Sequence, residues 1–310
     1  MKNFKKMILI LVGVLFLVVV YMNDNNVKED VKLVKKPIIV LSTFALFDIA
    51  TKIAGDTLEL VKILPFGVDA HSFEPTPKLM AKIDSSQLVI YSGAGLEPWI
   101  DGFNFKSKTL DMSKFVSLRK LDGHHHSNHK HTNHKMIDPH YWLDLDNMKK
   151  MANKMTDEFI AIEPKNKSLY EKNRDLYLSM LTKLDSNYKA KLSSCLKDTI
   201  IVNHNAFSYI ADRYNFHVES LSGFIPEAEA SPKDMIRVIE NIKEHNISII
   251  FFESFVSAKP IQSVANEMNV SVGVLQPIGN ITADEAKKNL GYKEIMKNNL
   301  IQFSKALECQ

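Results

Sequence analysis

The sequence predicts an α/β protein with two parallel-sheet lobes, flanking helices and a long backbone helix that joins the lobes. Two blocks in which short strand-like runs alternate with helical patterns predict the sheets, because this alternation is typical of βαβ units. A charged segment without strand patterns separates the blocks and predicts the joining helix. The 310 residues, of which 45% are hydrophobic and 24% charged, suffice for two modest domains.

The first block, residues 37–163, is interpreted as the N-terminal lobe. Its strand-like runs are rich in β-branched residues, and the stretches between them have apolar residues at helical spacing. The predicted strands are residues 37–42, 58–64 and 88–91, and the predicted helices are residues 44–54 and 77–85.

The second block, residues 197–310, is interpreted as the C-terminal lobe and repeats this pattern. Its clearest helix covers residues 231–245, because Ser231 is a favourable N-cap and Pro232 suits the first helical position. The predicted strands are residues 199–202, 216–221, 247–252 and 270–275.

The segment between the blocks predicts a helix over residues 147–162, a break at Pro164 and a longer connecting helix within residues 164–196. Side chains three or four positions apart predict the buried stripe of the connecting helix. The stripe comprises Leu169, Asn173, Leu176, Met180, Leu184 and Tyr188. A helix of roughly 30 residues spans about 45 Å and would brace two lobes; the alternative is an ordinary surface helix of one domain.

The N-terminal residues 1–22 predict export. Three lysines precede an apolar run over residues 7–22, as in a secretory signal. Neither a small-x-small cleavage site nor a cysteine that could accept a lipid follows the run. A cleaved signal peptide and an N-terminal membrane anchor therefore stand as alternatives, with a polar linker over residues 23–36. Both predict a periplasmic or other extracytoplasmic protein, tethered in the second case by residues 7–22.

The charge balance argues against nucleic acid as a partner. The chain has 39 basic and 36 acidic residues, and Lys2, Lys5 and Lys6 account for the excess, so residues 22–310 are formally neutral. Proteins that bind nucleic acid carry basic surfaces, because contacts with phosphate dominate their affinity. We expect no nucleic-acid partner and a monomeric chain.

The two cysteines, Cys195 and Cys309, leave two possibilities open. In an exported chain they either form a disulfide or remain unrelated thiols. Their separation in space decides between these, and the sequence does not provide it.

A histidine-rich segment, residues 123–134, lies shortly before Asp138 in the first block. It has no periodic apolar pattern, which predicts a solvated loop. Neutral imidazoles bind zinc, copper and nickel, so this loop is a candidate for auxiliary metal capture; a polar loop without a role is the alternative. Its histidines are His124, His125, His126, His129, His131 and His134.

Three further histidines are the candidate ligands of a principal metal site. His71, His140 and His204 each follow a predicted strand or precede a predicted helix. Ligands of open parallel sheets bind in the crevice beyond the carboxyl ends of the strands, so the three loops that carry these side chains could converge there. Three neutral imidazoles suit Zn²⁺, which usually takes four ligands, so a fourth ligand is then required.

Four motifs give the sequence a resemblance to a known family. The first is His71 with residues 74–77 (EPTP), and the second is residues 138–140 (DPH) with 142–144 (WLD). The others are Asn203 and His204 with Ala206 and Phe207, and residues 226–229 (PEAE) with Ser231 and Pro232. Over residues 36–310 the chain resembles the zinc-binding, ZnuA-like solute-binding proteins of bacterial ABC importers, the cluster A-I class. The histidine-rich insertion resembles the loop of the zinc-transporting subgroup.

The resemblance implies a function in metal uptake. It implies an extracytoplasmic protein, not an enzyme, that captures Zn²⁺ as a transported ligand between two lobes. His71, His140 and His204 would hold the ion, and the partners would be an ABC permease and its ATPase in the inner membrane.

The fourth ligand is where this chain departs from the family pattern. Many relatives have an acidic residue after the last strand, where this chain has Gln276 between Leu275 and Pro277. Gln276, Glu253 and Glu74 are the candidates, each either as a ligand or as an acceptor that orients an imidazole, and water is a further possibility. A histidine at position 204, where manganese carriers tend to have a carboxylate, favours zinc over manganese.

Two other functions remain open at this point. Three histidines that leave one coordination position of the zinc ion open are also typical of a zinc-dependent hydrolase. However, the sequence contains no His-Glu-x-x-His or Gly-x-Ser-x-Gly motif. A metal-binding surface adhesin or chaperone that is not coupled to transport is the second alternative.

Overall fold

A computed structural model of the chain describes residues 35–120, 137–222, 231–254 and 258–310. The chain divides into two compact units, Met1–Lys35 and Lys36–Gln310, and the second unit carries all elements described below. The predicted signal or membrane anchor, most of the linker, the histidine-rich loop and the motif at residues 226–229 lie outside the described residues. Within the described part of the chain, no helix has the length and hydropathy needed to span a membrane.

Two four-stranded parallel sheets organise the described residues. The first has the order β2-β1-β3-β4, and the second has the order β6-β5-β7-β8. In the first sheet the strands are β1 (Ile38–Leu41), β2 (Glu59–Lys62), β3 (Leu88–Tyr91) and β4 (Lys108–Asp111). In the second sheet they are β5 (Thr199–Val202), β6 (His217–Ser220), β7 (Ile249–Glu253) and β8 (Ser271–Leu275).

The central strands are buried because their side chains are apolar on both faces. All four residues of β1 are buried, and Ile39 pairs with Leu60 of β2 and with Leu88 of β3. Strand β5 is equally buried and lies between β6 and β7. Continuous apolar runs of this kind are typical of parallel strands covered by helices on both sides.

Nine α-helices connect and cover the sheets in the described residues. They are α1 (Phe44–Ala54), α2 (Pro77–Asp84), α3 (Leu145–Ile162), α4 (Lys167–Leu192), α5 (Ser208–Tyr214), α6 (Pro232–Glu244), α7 (Lys259–Met268), α8 (Ala283–Lys287) and α9 (Tyr292–Ala306). Ser231 caps α6 as predicted: its hydroxyl accepts from the backbone N–H of Asp234, and the carboxylate of Asp234 accepts from the N–H of Ser231. The predicted α/β class with two parallel sheets and a long helix is confirmed.

Strand β4 was not predicted. Of its four residues only Leu110 is buried, and the strand lies at the edge of the first sheet. A short edge strand with polar, exposed residues carries no apolar run, so the sequence pattern does not distinguish it from a loop.

The buried face of the long helix α4 differs from the predicted stripe. Leu184 and Tyr188 are buried as predicted, but Leu169 is 40% and Leu176 is 62% exposed. The helix instead buries tyrosines one position further along, Tyr170 and Tyr177. Aromatic rings bury more apolar area than leucine, and their hydroxyls find partners: Tyr177 donates to the carboxylate of Asp48 (3.1 Å).

Helix α4 is in contact with helices associated with both sheets. It packs against α1 and α3, which follow elements of the first sheet, and against α9, which follows the last strand of the second. Its 26 residues span about 39 Å. The tyrosine hydroxyl of Tyr188 donates to the carbonyl of Met296 in α9 (2.7 Å), so the helix is joined to α9 by a buried hydrogen bond as well as by apolar packing.

A disulfide joins Cys195 to Cys309. It connects the segment after α4 to the segment after α9, and the same two segments exchange backbone hydrogen bonds, including Lys197 N–H to the carbonyl of Leu307 (3.0 Å). Of the two possibilities that the sequence left open, the structure therefore has the disulfide.

Candidate metal centre

The three predicted histidines lie together. One ligand nitrogen from each of His71, His140 and His204 lies within 4.8 Å of the other two, and this is the one such cluster of histidine, cysteine and acidic side chains that the described residues contain. The Nε2 atoms of His71 and His140 are 3.2 Å apart, and those of His140 and His204 are 3.3 Å apart. His140 and His204 are buried, and His71 is half-buried.

These separations match what a single tetrahedral zinc ion requires. Two nitrogens bound at about 2.0–2.1 Å and related by a tetrahedral angle lie about 3.3–3.4 Å apart. His140 and His204 also each present Nδ1 to a carboxylate, so Nδ1 carries the proton and Nε2 carries a lone pair in the neutral ring. Lone pairs at this distance repel each other unless a cation lies between them, so the arrangement favours a bound cation.

The second sheet positions His204 and its partner Glu253. His204 follows β5, and Glu253 is the last residue of β7, the strand that pairs with β5. In the order β6-β5-β7-β8, the connection that leaves β5 leads to one side of it, and β7 is added on the other side. The crevice between β5 and β7 is therefore the switch point at which open parallel sheets bind ligands. Nδ1 of His204 donates to Oε1 of Glu253, so the carboxylate sets the tautomer of the ring and directs Nε2 into the cluster.

Asp138 positions His140 in a similar way. Its Oδ1 accepts from both the backbone N–H (2.9 Å) and Nδ1 (2.8 Å) of His140. Helix α5, which begins four residues after His204, holds Asp138 in turn: Ser208 donates to Oδ2, and Tyr209 donates to the backbone carbonyl (2.9 Å). The orientation of His140 therefore depends on the element that follows His204.

His71 lies in the long connection between β2 and α2. Its backbone N–H donates to Oδ1 of Asp69 (2.7 Å), two residues earlier, as the N–H of His140 does to Asp138. Both histidines thus belong to an Asp-x-His pattern, at residues 69–71 and 138–140. Asp138 and Asp69 are supporting residues that were not predicted, although this repeated spacing could have identified them.

Burial and nearby charges move the imidazole pKa values in opposite directions. Burial, together with the charges of His140 and His204, lowers the pKa of His71 from 6.5 to about 2, so this ring is neutral. Burial acts to lower the pKa of His204 as well, but the charge of Glu253 and the hydrogen bond to it outweigh burial and raise that pKa above 6.5. The metal-free cluster is therefore expected to bind a proton at His204 before His71.

Glu253 lies on the far side of His204 from the cluster. Its Oε2 is buried and has no hydrogen-bond partner among the described residues. A buried carboxylate that is incompletely hydrogen-bonded is costly, and a cation held by the adjacent imidazole compensates that cost. The residue has the geometry of an acceptor that orients an imidazole.

Replacing Glu253 by glutamine tests this orienting role. We expect zinc affinity to fall about 10-fold or more, because the amide lacks the charge that stabilises the proton on Nδ1 and the cation beyond it. Metal titration of Glu253→Gln against the wild type measures the change. The Glu74→Gln variant is the matched control, because Glu74 is exposed, and equal affinities for all three proteins would contradict the role of Glu253.

The structure places the other fourth-ligand candidates as follows. Gln276 is buried; its Nε2 donates to Ser254 Oγ (2.7 Å) and to the carboxylate of Glu285, and its Oε1 accepts from the N–H of Ile278 (3.1 Å). Its polar side-chain atoms are therefore engaged by Ser254 after β7, by Glu285 of α8 and by its own loop. Glu74 is exposed on the connection between β2 and α2. Neither Glu74 nor Glu253, the two carboxylate candidates, belongs to the cluster of three imidazoles.

Comparison with known proteins connects this geometry to one family. The family described as "ZnuA: Zinc-uptake complex component A periplasmic" matches residues 39–306. The chain is 29% identical over 302 residues to the High-affinity zinc uptake system protein ZnuA of Bacillus subtilis, covering 94% of each protein. It is also 29% identical over 307 residues to the Manganese ABC transporter substrate-binding lipoprotein PsaA of Streptococcus mitis, covering 95% of this chain and 97% of the relative.

A solved structure shares the fold. The laminin binding protein (Lmb) of Streptococcus agalactiae, described as a bifunctional protein with adhesin and metal transporting activity, superimposes with a TM-score of 0.77 at 26% identity. The match covers 87% of this chain and 99% of that protein. The family match, the parallel sheets and the three adjoining imidazoles agree with one another, and the chain belongs to the ZnuA family of metal-binding substrate-binding proteins of ABC importers, which are not enzymes.

Proposed function

We propose that this protein captures Zn²⁺ outside the cytoplasm and delivers it to an ABC permease and its ATPase for uptake. The observation that carries the proposal is the meeting of His71, His140 and His204, with Nε2 separations of 3.2 and 3.3 Å. These three residues would be the ligands, and a water molecule or a protein oxygen would complete the coordination sphere. The histidine-rich loop would raise the local supply of ions, and residues 7–22 would tether the chain if they are retained.

The choice of zinc over manganese rests on the chemistry of the ligands. Relatives of this chain include proteins described as zinc and as manganese transporters. Manganese prefers oxygen ligands, whereas three imidazole nitrogens at tetrahedral spacing favour zinc. The separation of 3.3 Å between the Nε2 atoms of His140 and His204 therefore supports zinc.

A competition titration tests this choice. We expect the purified protein to bind one Zn²⁺ tightly after the histidine-rich loop is removed, and to bind Mn²⁺ at least about 100-fold more weakly, in line with the order of affinities for nitrogen sites. Calorimetry with each ion, followed by displacement of one by the other, measures the ratio. Preferential retention of Mn²⁺ would contradict the assignment.

The pH dependence of zinc binding follows from the pKa shifts. Zinc must displace any proton on the imidazoles, so affinity falls as pH decreases. Because the pKa of His204 is raised above 6.5, the loss is expected to begin above pH 6.5; because the pKa of His71 is lowered to about 2, that ring contributes nothing to it. Titrations between about pH 8 and pH 5 measure how many protons are released. Release of three protons for each zinc ion bound, or a zinc affinity that does not change with pH, would contradict these shifts.

A metal-binding surface adhesin is the second candidate function. The similarity to the laminin binding protein, with a TM-score of 0.77, is the observation that favours it. Transport and adhesion are separable by experiment. If deletion of the gene prevented growth when zinc is scarce but left the binding of cells to immobilised laminin unchanged, transport alone would be supported.

A further inference from the structure

A segment that follows the last strand of the second sheet contacts the connection that carries His71. This segment, residues 276–281, lies between β8 and α8, whereas His71 lies after β2 of the first sheet. Gly67 N–H donates to the carbonyl of Ile281 (2.9 Å). The place of His71 is therefore determined in part by residues more than 200 positions away in sequence.

Asn280 makes the largest number of these contacts. Its side chain is 1% exposed; Nδ2 donates to the carbonyls of Pro65 (2.5 Å) and Val68 (2.8 Å), and Oδ1 accepts from Lys62 Nζ (3.0 Å). One amide thus satisfies two backbone carbonyls of the connection after β2 and the ammonium group of Lys62, the last residue of β2. No apolar side chain and no acid could replace it, because both donors and an acceptor are needed at one point.

The 276–281 segment is held in a strained conformation that presents Asn280. Ile278 is fully buried and has φ 62°, in the left-handed region that β-branched residues avoid. The N–H of Ile278 donates to Oε1 of Gln276, the carbonyl of Pro277 accepts from Trp142 Nε1 (2.7 Å), and the carbonyl of Gly279 accepts from the N–H of Phe44 (2.8 Å). Strain of this kind persists where the surroundings require it, and it is concentrated at functional sites.

We propose that Asn280 is a positioning residue for His71, so that retention of the metal depends on the contact between the 276–281 segment and the connection after β2. This inference rests on the proposed function. The imidazole of His140 is held by Asp138, and that of His204 by Glu253, within or next to their own elements. Asn280, which follows the last strand of the second sheet, instead holds the backbone of the connection that carries the third imidazole, three residues before His71 at Val68. Opening of this contact moves His71 away from the other two nitrogens and leaves a two-histidine site that releases the ion.

The test uses the Asn280→Asp variant of the full chain. Aspartate keeps the acceptor for Lys62 but loses both donors and brings negative charge to two carbonyl oxygens. We expect the Kd for zinc to rise about 10- to 100-fold, as for other residues that support a metal ligand. In a His71→Ala background the same change should have no further effect, because the residue acts through His71.

Asn299→Asp is the matched control. Asn299 is also a buried asparagine, and it holds the other end of the segment through the N–H (3.0 Å) and carbonyl (2.8 Å) of Gln276. We expect this variant to lose thermal stability but to keep nearly the wild-type Kd for zinc. Equal Kd values for the two variants, or an Asn280→Asp effect that is undiminished in the His71→Ala background, would overturn the positioning role.

Two further measurements test the inference if Asn280→Asp is too unstable to study, and they distinguish its failure from a failure of the proposed function. Asn280→Ala removes the donors without adding charge. It should raise the Kd for zinc in the wild-type background and have no further effect on the Kd in the His71→Ala background. In the wild type, amide exchange at Gly67 should slow at least about 10-fold on zinc binding, since opening of the contact displaces a ligand. Identical exchange with and without zinc would overturn the inference. A wild-type chain that binds no zinc would instead overturn the proposed function itself.

Discussion

Replacement of His140 by alanine is expected to weaken zinc binding by about 100- to 1000-fold. Four-ligand zinc sites are worth about 10–16 kcal/mol, so each ligand contributes roughly 2.5–4 kcal/mol. His140 is the central member of the cluster, since its Nε2 is 3.2 Å from that of His71 and 3.3 Å from that of His204. Its loss therefore removes one ligand and leaves a two-histidine site. Calorimetry or competition with a chelator of known affinity measures the change.

Deletion of residues 123–134 is the control for this prediction. The histidine-rich loop contributes six imidazoles but none of the three that meet in the cluster. We expect the deletion to reduce the number of weakly bound ions and to leave the tightest site unchanged. If the deletion abolished the tight site and His140→Ala did not, the principal site would lie in the loop. His217→Ala is a second control, because this exposed histidine lies at the start of β6, away from the cluster.

Loss of the disulfide is expected to have the largest effect on stability. The bond closes a loop between residues 114 positions apart, and constraining a loop of this length in the unfolded chain is worth roughly 4–5 kcal/mol in the chain-entropy model. For a domain of this size we expect Tm to fall by about 10 °C or more in Cys195→Ser/Cys309→Ser. Thermal unfolding of the wild type, the reduced wild type and the double variant measures the effect.

Zinc affinity should change little in the same double variant. The disulfide joins the segments after α4 and α9, and neither segment carries one of the three imidazoles. Backbone hydrogen bonds between these segments, such as Lys197 N–H to Leu307, remain available to hold the C-terminus in place. A variant with unchanged Tm would show that those bonds suffice, and a large loss of zinc affinity would indicate coupling between the C-terminus and the cluster.

Much of the fold could be predicted because its signals are local. The runs that became β3 and β5 were predicted to the residue, since central parallel strands are short, continuous and apolar. The cap of α6 was predicted because Ser231 and Pro232 are adjacent in sequence to the helix that they begin. Strand β4 was missed because an edge strand needs no apolar run, and the buried face of α4 was partly wrong because tyrosines compete with leucines for burial.

The sequence by itself determined the alternation of strands and helices and the residue types available for metal binding. His71, His140 and His204 could be selected because the ends of parallel strands are where such sheets bind ligands, a rule that depends only on order along the chain. Only the tertiary structure decided which groups support them. Asp138, Glu253 and Asn280 act through hydrogen bonds, and such bonds depend on distances of a few tenths of an ångström between segments far apart in sequence. The pairing of Cys195 with Cys309 was undecided for the same reason, because a covalent bond across 114 residues requires proximity that no local pattern encodes.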